Sequence, residues 1–427
     1  MLLTILSIIF LVSILLGVPL VYSLLIATLG TISVAELGYS DGVVFHAFIS
    51  GIEKAHLLAI PLFIAAGAVL SRGGVGARMI DFAASLFGWL PGGLAVVTVV
   101  SSMLFGAVSG SAIAGAAAIG SVMIPGMEKR GYPKAYSAAL VAVSGTLGVI
   151  IPPSIPMLVY GFVANVSIKD LFLAGVMPGV LFGTGLIGLC IWQGKTRGFE
   201  ADTKAFSFAE VRRTFVRCIP SLLMPTVILG GIWSGVFTPT EAAAVATVYG
   251  ILVSVVVQRE LKWSQLPSLF LDAFATNAVV MLVIASTASL SWLVTAEQVP
   301  QEMAAFVQEF AGGPIMFLLL LNLILVIVGV FLEPLPALLL TAPLFMPAAA
   351  AFGIDPVQFG LIIVCNLAFG LFTPPVGGTL FVSARMARVG MGAISLQMIP
   401  FFIVSGIVLI LITYVPAISL WLVELLQ

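Results

Sequence analysis

Charge is scarce in this sequence. Asp, Glu, Lys and Arg make up 8% of the residues, against about 25% in a soluble domain. That shortage excludes an ordinary water-soluble surface. The formal net charge of −1 gives no basis for nucleic-acid binding. Basic residues are missing before Lys54, so a signal peptide's basic n-region is missing too, and Met1 to Val34 reads as mature membrane helix. The three cysteines, Cys190, Cys218 and Cys365, lie far apart without a C-x-x-C, which argues against a metal site or a disulfide. His46 and His56 stand ten apart, outside any ligand spacing. Without an H-E-x-x-H, a membrane metalloprotease lacks its ligands. Gly194-Lys195-Thr196 looks like the end of a phosphate-binding loop. Leu189 stands where that loop needs its first glycine, so ATP binding is excluded.

What the chain has instead is apolar length. Hydrophobic residues make up 61% of its 427 positions, and its mean hydropathy is +1.23. Several runs exceed the ~18 residues needed to span a bilayer. The chain therefore reads as an all-α, multi-pass integral membrane protein with lipid as its solvent.

Within those runs the sequence repeats itself. Pro152-Pro153 and Pro374-Pro375 differ by 374 − 152 = 222, and the same offset takes Pro125 to Pro347, Gly131 to Gly353, Gly148 to Gly370 and Pro178 to Pro400. In each copy a Gly-x-x-(Ile/Thr)-Pro-Pro run interrupts a long apolar segment. Paired broken helices in corresponding halves point to the binding site of a secondary transporter. Basic clusters at 128–134, 195–217, 259–262 and 385–388 are placed in the cytoplasm by the positive-inside rule.

Threading the chain through these constraints gives two repeats of inverted topology, each with about five crossings and one re-entrant hairpin. The first covers 1–195, with scaffold helices in 1–84, a hairpin over 86–125 and a broken helix over 135–163. An amphipathic arm, 196–217, joins it to the second, 218–427, whose hairpin spans 314–347 and whose broken helix spans 357–384. The polar stretch Glu36 to Lys54 is expected outside the membrane, and the last helix over 393–423. Such hairpins are tolerated only where protein or a water-filled cavity shields the tip.

Three features carry chemistry. Two consecutive prolines free several carbonyls, which a sodium ion satisfies with oxygen ligation, or neighbouring Ser and Thr satisfy at a bare kink. The first hairpin tip, Ser109-Gly110-Ser111, offers hydroxyls and bare backbone. Glu333, at the second tip, is the only acid between Glu309 and Asp355, and an intramembrane carboxylate is functional by default. Glu241 looks similar, but Thr238-Pro239-Thr240-Glu241 fits a capping box and reads as a cap.

Leu58 to Gly67 (LAIPLFIAAG), Ser109-Gly110-Ser111, Gly148 to Ser154 (GVIIPPS) and Phe372 to Gly377 (FTPPVG) together resemble the large membrane subunit of tripartite ATP-independent periplasmic (TRAP) transporters, nearly end to end. The resemblance implies sodium-driven uptake of an organic acid anion, of the C4-dicarboxylate or sialic acid class, across a bacterial inner membrane by an elevator motion. It implies a periplasmic substrate-binding protein and a small membrane subunit as partners, the latter expected as a separate chain because this one starts at the large-subunit helices. It implies no cofactor beyond Na+. Carried over to this sequence, sodium ligation falls on Gly329, Gly370, Thr373 and Val376, and at an offset of 222 on Ala107, Gly148, Ile151 and Ser154, with Ser109 and Glu333 at the tips. Ser111, Thr146, Asn366 and Thr379 are the candidates to hold the substrate carboxylate with half-helix N-termini. Alternatives are a standalone ion-coupled exchanger, a passive channel, and a membrane enzyme. The last needs an acidic metal cluster or a nucleophile–base pair in the membrane, and the sequence offers neither.

Overall fold

Glycine and proline decide where the helices of this chain stop. A computed structural model describes residues 2–199, 206–299, 301–302 and 312–426. The chain opens with α1 (Leu2–Leu15) and α2 (Leu20–Val34), parted at Gly17, whose φ of 80° is left-handed, and at Pro19. Then come α3 (Asp41–Ser50), α4 (Ala59–Arg72) and α5 (Val75–Phe87), the last two bent by 65° at Gly73-Gly74. The first hairpin is α6 (Gly93–Ser109) and α7 (Ala112–Lys129). The first broken helix is α8 (Lys134–Gly145), the single turn α9 (Leu147–Ile150) and α10 (Ile155–Ala164). Helices α11 (Ile168–Arg197), α12 (Phe208–Trp233), α13 (Pro239–Ile251) and α14 (Leu266–Ala296) follow. The second hairpin is α15 (Pro314–Phe331) and α16 (Pro334–Ala351), and the second broken helix α17 (Pro356–Gly370) and α18 (Gly378–Ala387). Helices α19 (Met391–Tyr414) and α20 (Pro416–Leu425) end the chain. Among the described residues seven helices are long and apolar enough to cross a membrane, or nine if each of two bent pairs is one span.

The offset of 222 carries into the elements. Adding it to the bounds of α7 gives 334 and 351, the bounds of α16, and Lys134 maps onto Pro356, the start of α17. Gly131 and Gly353 both adopt positive φ, 81° and 72°, and both Pro-Pro bonds are cis.

Contacts between the two copies are reciprocal. Beyond its break, α10 crosses to the second hairpin and packs on α16. The Tyr160 hydroxyl there donates to the Pro356 carbonyl at 2.7 Å. Beyond the other break, α18 crosses to the first hairpin, with Gly378 against Ile113 and Gly120 against Met386. So α18 runs from the first tip toward the base of α7, and α10 from the second tip toward the base of α16. The hairpins therefore point tip to tip, with their bases at opposite ends. A second packing group surrounds α4, which lies against α13 and α14, while α14 also covers α2 and α3.

Several boundaries differ from expectation for local reasons. The polar stretch after α2 folds as α3. The first hairpin starts at Gly93 rather than 86, because Pro91-Gly92 ends the preceding segment and Gly92 lies against the Cys190 carbonyl and Gly194 of α11, where a side chain has no room. Residues 75–87, at the end of the stretch read as scaffold helices, form the amphipathic helix α5. The last helix divides at Val415-Pro416. Of the proposed arm, residues up to Arg197 extend α11 and those from Phe208 begin α12, while 200–205 lie outside the described residues. Arg72 pairs with Asp272 at 2.9 Å and Arg78 with Glu260 at 2.7 Å. These surface pairs contribute little stability, but they fix which helix ends share a face.

Opposed hairpin bases make a direct test. Lys129 and Ala350 are both exposed, and all three native cysteines are buried. An impermeant maleimide added to the outside of intact cells should label Ala350→Cys and spare Lys129→Cys. Equal labelling of both from one side would overturn the arrangement.

Candidate functional site

The two tips meet. Ser111, Ala112 and Ile113 of the first hairpin, Ile155 and Pro156 of α10, and Glu333, Pro334 and Leu335 of the second hairpin line one cavity of about 90 Å³. Ser111 and Glu333 are equivalent positions, since 111 + 222 = 333. A hydroxyl and a carboxylate thus face one small space from matched sites. Three helices, α7, α10 and α16, begin at its wall. Their positive dipole ends, with the few N–H groups that Pro156, Pro334 and Pro336 leave free, make it favourable to anions. Glu333, exposed at the N-terminus of α16, adds the one carboxylate in the lining and is the natural counter-charge for a cation.

Capping explains the local geometry. Ser111 accepts from the Ala114 N–H at 3.4 Å, and Ser154 from the Met157 N–H at 3.5 Å, each as an N-cap. Ser109 is buried and spans the tip to Ser111. Ser and Gly are needed in this turn because Gly110 has φ 61° and its Cα faces the Pro153 carbonyl.

Each break is held by hydroxyls. In the first, Ser154 donates to the Val149 carbonyl at 2.6 Å. In the second, Thr379 donates to Leu371 at 3.0 Å, and Thr373 to Phe369 at 2.7 Å. Val149 and Leu371 are themselves 222 apart, so the same carbonyl is covered in both halves from different positions. Phe369, Phe372 and Phe402 stack with ring centroids 4.9–5.6 Å apart and brace the second break against α19.

Bare backbone makes the crossings. Gly106 of α6 lies against Gly148, and Gly329 of α15 against Gly370. A Cβ on Gly370 would sit 2.3 Å from the Gly329 carbonyl carbon, and one on Gly148 2.7 Å from the Ser111 carbonyl oxygen. Gly106, rather than Ala107, is therefore the partner of Gly148 in the first half. The offset missed it by one residue, although Gly106 opens the run Gly106 to Ser111. Beside each crossing sits a polar pair. The Ser102 hydroxyl donates to Ser144 at 3.1 Å, and the Asn366 amide donates to Asn322, which also receives Thr413 at 3.2 Å.

The other candidates are dispersed. Thr146 is buried with its hydroxyl on the Val143 carbonyl at 2.7 Å. Thr379 and Asn366 are buried and turned onto their own helices or neighbours. Val376 is 48% exposed, and Ile151 is partly buried. Of the substrate candidates only Ser111 lines the shared cavity. Ile155, Pro156 and Leu371 line it too and were not foreseen, because apolar residues beside a break carry no chemical label. Glu241 closes the expected capping box, accepting from the Thr238 N–H at 2.8 Å.

An all-α membrane protein with paired hairpins meeting at a helix-capped cavity has the build of a membrane carrier. Comparison with known proteins makes this specific. Residues 7–418 match the family "Tripartite ATP-independent periplasmic transporter, DctM component". The C4-dicarboxylate TRAP transporter large permease protein DctM of Pseudomonas aeruginosa is 42% identical over 368 residues, 86% of each chain. The sialic acid TRAP transporter large permease protein SiaM of Vibrio cholerae is 36% identical over 411 residues, 96% of this chain and 95% of that one. The crystal structure of the YdaH transporter of Alcanivorax borkumensis shares the fold at a TM-score of 0.61 and 13% identity, covering 89% of this chain and 87% of that one. The chain belongs to the DctM family of TRAP transporter components.

The crossings give a sharp expectation. Gly370→Ala forces two backbones apart and should cost about 1–3 kcal/mol, the usual range for overpacking, with uptake lost. Gly390→Ala, where a Cβ meets nothing within 4 Å, should leave the melting temperature and uptake unchanged. Equal behaviour of the two variants in a thermal melt would remove the crossing as a constraint.

Proposed function

We propose that this protein is the large membrane subunit of a sodium-coupled transporter that imports an organic acid anion, of the C4-dicarboxylate or sialic acid class, through a bacterial inner membrane. The observation that carries the reading is the convergence of three helix N-termini, Ser111 and Glu333 on one cavity between opposed hairpins. Helix N-termini attract the substrate carboxylate. Glu333 opposes it unless a cation is present, and a sodium ion at the breaks removes that repulsion. Coupling then follows from charge: the anion binds well only after the ion.

The two inverted repeats, 1–195 and 218–427, place their hairpins on opposite sides of the membrane, and the packing supports an elevator-type motion. Hairpins and broken helices cross-pack into one body, and α2, α3, α4, α13 and α14 into another. Where they touch, Gly67 of α4 lies against the Ser109 carbonyl, and α14 meets α16. A small membrane subunit completes the fixed body, and a periplasmic binding protein delivers the substrate. Relatives named for C4-dicarboxylate and for sialic acid both support an acid substrate, and selectivity between them rests with the binding protein.

Uptake into proteoliposomes tests this reading. The chain with its small subunit and binding protein should accumulate labelled acid only under an inward sodium gradient, and the chain alone should transport little. Full uptake by the chain alone would favour a standalone exchanger.

The ion site has its own test. Thr373→Leu removes the hydroxyl bond to Phe369 and crowds the second break. The sodium concentration for half-maximal uptake should rise, with binding-protein docking unaffected. An unchanged sodium dependence at normal expression would return the break to a mere kink.

A further inference from the structure

The most spacious cavity described, about 680 Å³, lies away from the tips, between α5 and the first turns of α12. Its charged lining is Arg78, Asp81, Glu210, Arg213 and Arg217, with Trp89 at one side. Most of these charges are already satisfied. Arg78 binds Glu260 at 2.7 Å and Gln258 at 2.9 Å, and Arg213 binds Glu210 at 2.7 Å. Among the described residues, Arg217 and Asp81 have neither hydrogen-bond nor ion partner. One cation and one anion, both exposed, thus line the same cavity without forming an ion pair with each other.

The cavity's surroundings are those of a membrane surface. Trp89 is 47% exposed, and Phe206, Phe208 and Phe215 are exposed beside it. Trp89 and Phe206 meet edge to face at 6.4 Å, and Phe82 meets Phe215 at 5.5 Å. Aromatic residues next to arginines, where a spanning helix begins, mark headgroup level. The apolar rings can cover acyl chains while the cavity receives the polar end of the same lipid.

We propose that this cavity binds the headgroup of a phospholipid carrying both a phosphate and a primary ammonium, with Arg217 on the phosphate and Asp81 on the ammonium. A purely anionic headgroup would leave Asp81 unpaired beside it. A headgroup with a quaternary ammonium would offer Asp81 no N–H to accept. The primary zwitterion satisfies both, and a lipid held there ties α5, which leads into the first hairpin, to α12 of the other half.

Native mass spectrometry of the full chain in detergent tests the proposal. Phosphatidylethanolamine and phosphatidylcholine with the same acyl chains are titrated separately. The unmodified chain should bind the ethanolamine lipid more tightly by roughly ten-fold, the size of one charge-assisted hydrogen bond. Arg217→Gln should weaken both lipids. Asp81→Asn should weaken the ethanolamine lipid more than the choline lipid and so narrow the difference between them. Arg212→Gln removes the same charge from the same helix outside the cavity lining and should change nothing. Equal binding of the two lipids by the unmodified chain, or equal damage from Arg212→Gln and Arg217→Gln, would overturn the site. Free phosphoethanolamine is the soluble probe. If it binds with the same dependence on Arg217 and Asp81 while the lipid does not, the zwitterion site stands and its assignment to the membrane falls.

Discussion

A backbone group left in hydrocarbon without a partner costs several kcal/mol, and this fold breaks its helices in the interior all the same. Everything at the centre follows from how those breaks are covered. Ser154, Thr373 and Thr379 donate hydroxyls to freed carbonyls. Ser111 and Ser154 cap the helices that restart. The hairpin tips are shielded because each is covered by the helix that restarts beyond the other copy's break. The breaks and the hairpins therefore need one another, and neither is stable alone in lipid.

That mutual need explains the interleaving. If each broken helix stayed with its own hairpin, both tips would face lipid. By crossing over, α10 protects the second tip and α18 the first. Before crossing over, each broken helix passes its own hairpin at close backbone approach, which only glycine allows. Gly106 against Gly148 and Gly329 against Gly370 meet that demand at matched points. Both helices can then pass without a side chain between them, and the N–H groups of three helix starts reach a common space.

The architecture was legible in the sequence because its causes are local. Proline pairs, Gly-rich tips and a fixed offset of 222 announce themselves wherever they fall. In the structure, helices stop at Ser109 and Phe331 and are interrupted after Ile150 and Gly370. What the sequence hid depends on three dimensions. Helix α5 follows a double glycine, and nothing along the chain marks it off from the scaffold helices within 1–84. Gly92 ends a segment only because α11 lies against it. The convergence of Ser111 with Glu333 is invisible along the chain, since it requires that the two tips face each other. Thr146 and Thr379 looked like ligands by type, but each hydroxyl is occupied by backbone.

Matched positions with unmatched chemistry carry the deepest functional argument. A perfectly symmetric centre would treat both approaches to it alike and would have no reason to distinguish an anion from its coupling ion. Here the backbone is nearly symmetric, and the difference is confined to side chains. Ser111 is neutral where Glu333 is charged, and the hydroxyl that covers the shared carbonyl comes from Ser154 in one half and Thr379 in the other. Under the proposed reading the neutral side and the helix starts serve the carboxylate, and the charged side serves the ion. Both line one space of about 90 Å³, so the two charges meet within a few ångströms, where their interaction is strong. An anion entering without its cation meets Glu333 at close range. Tight coupling then needs no long-range signal, only the size of the cavity.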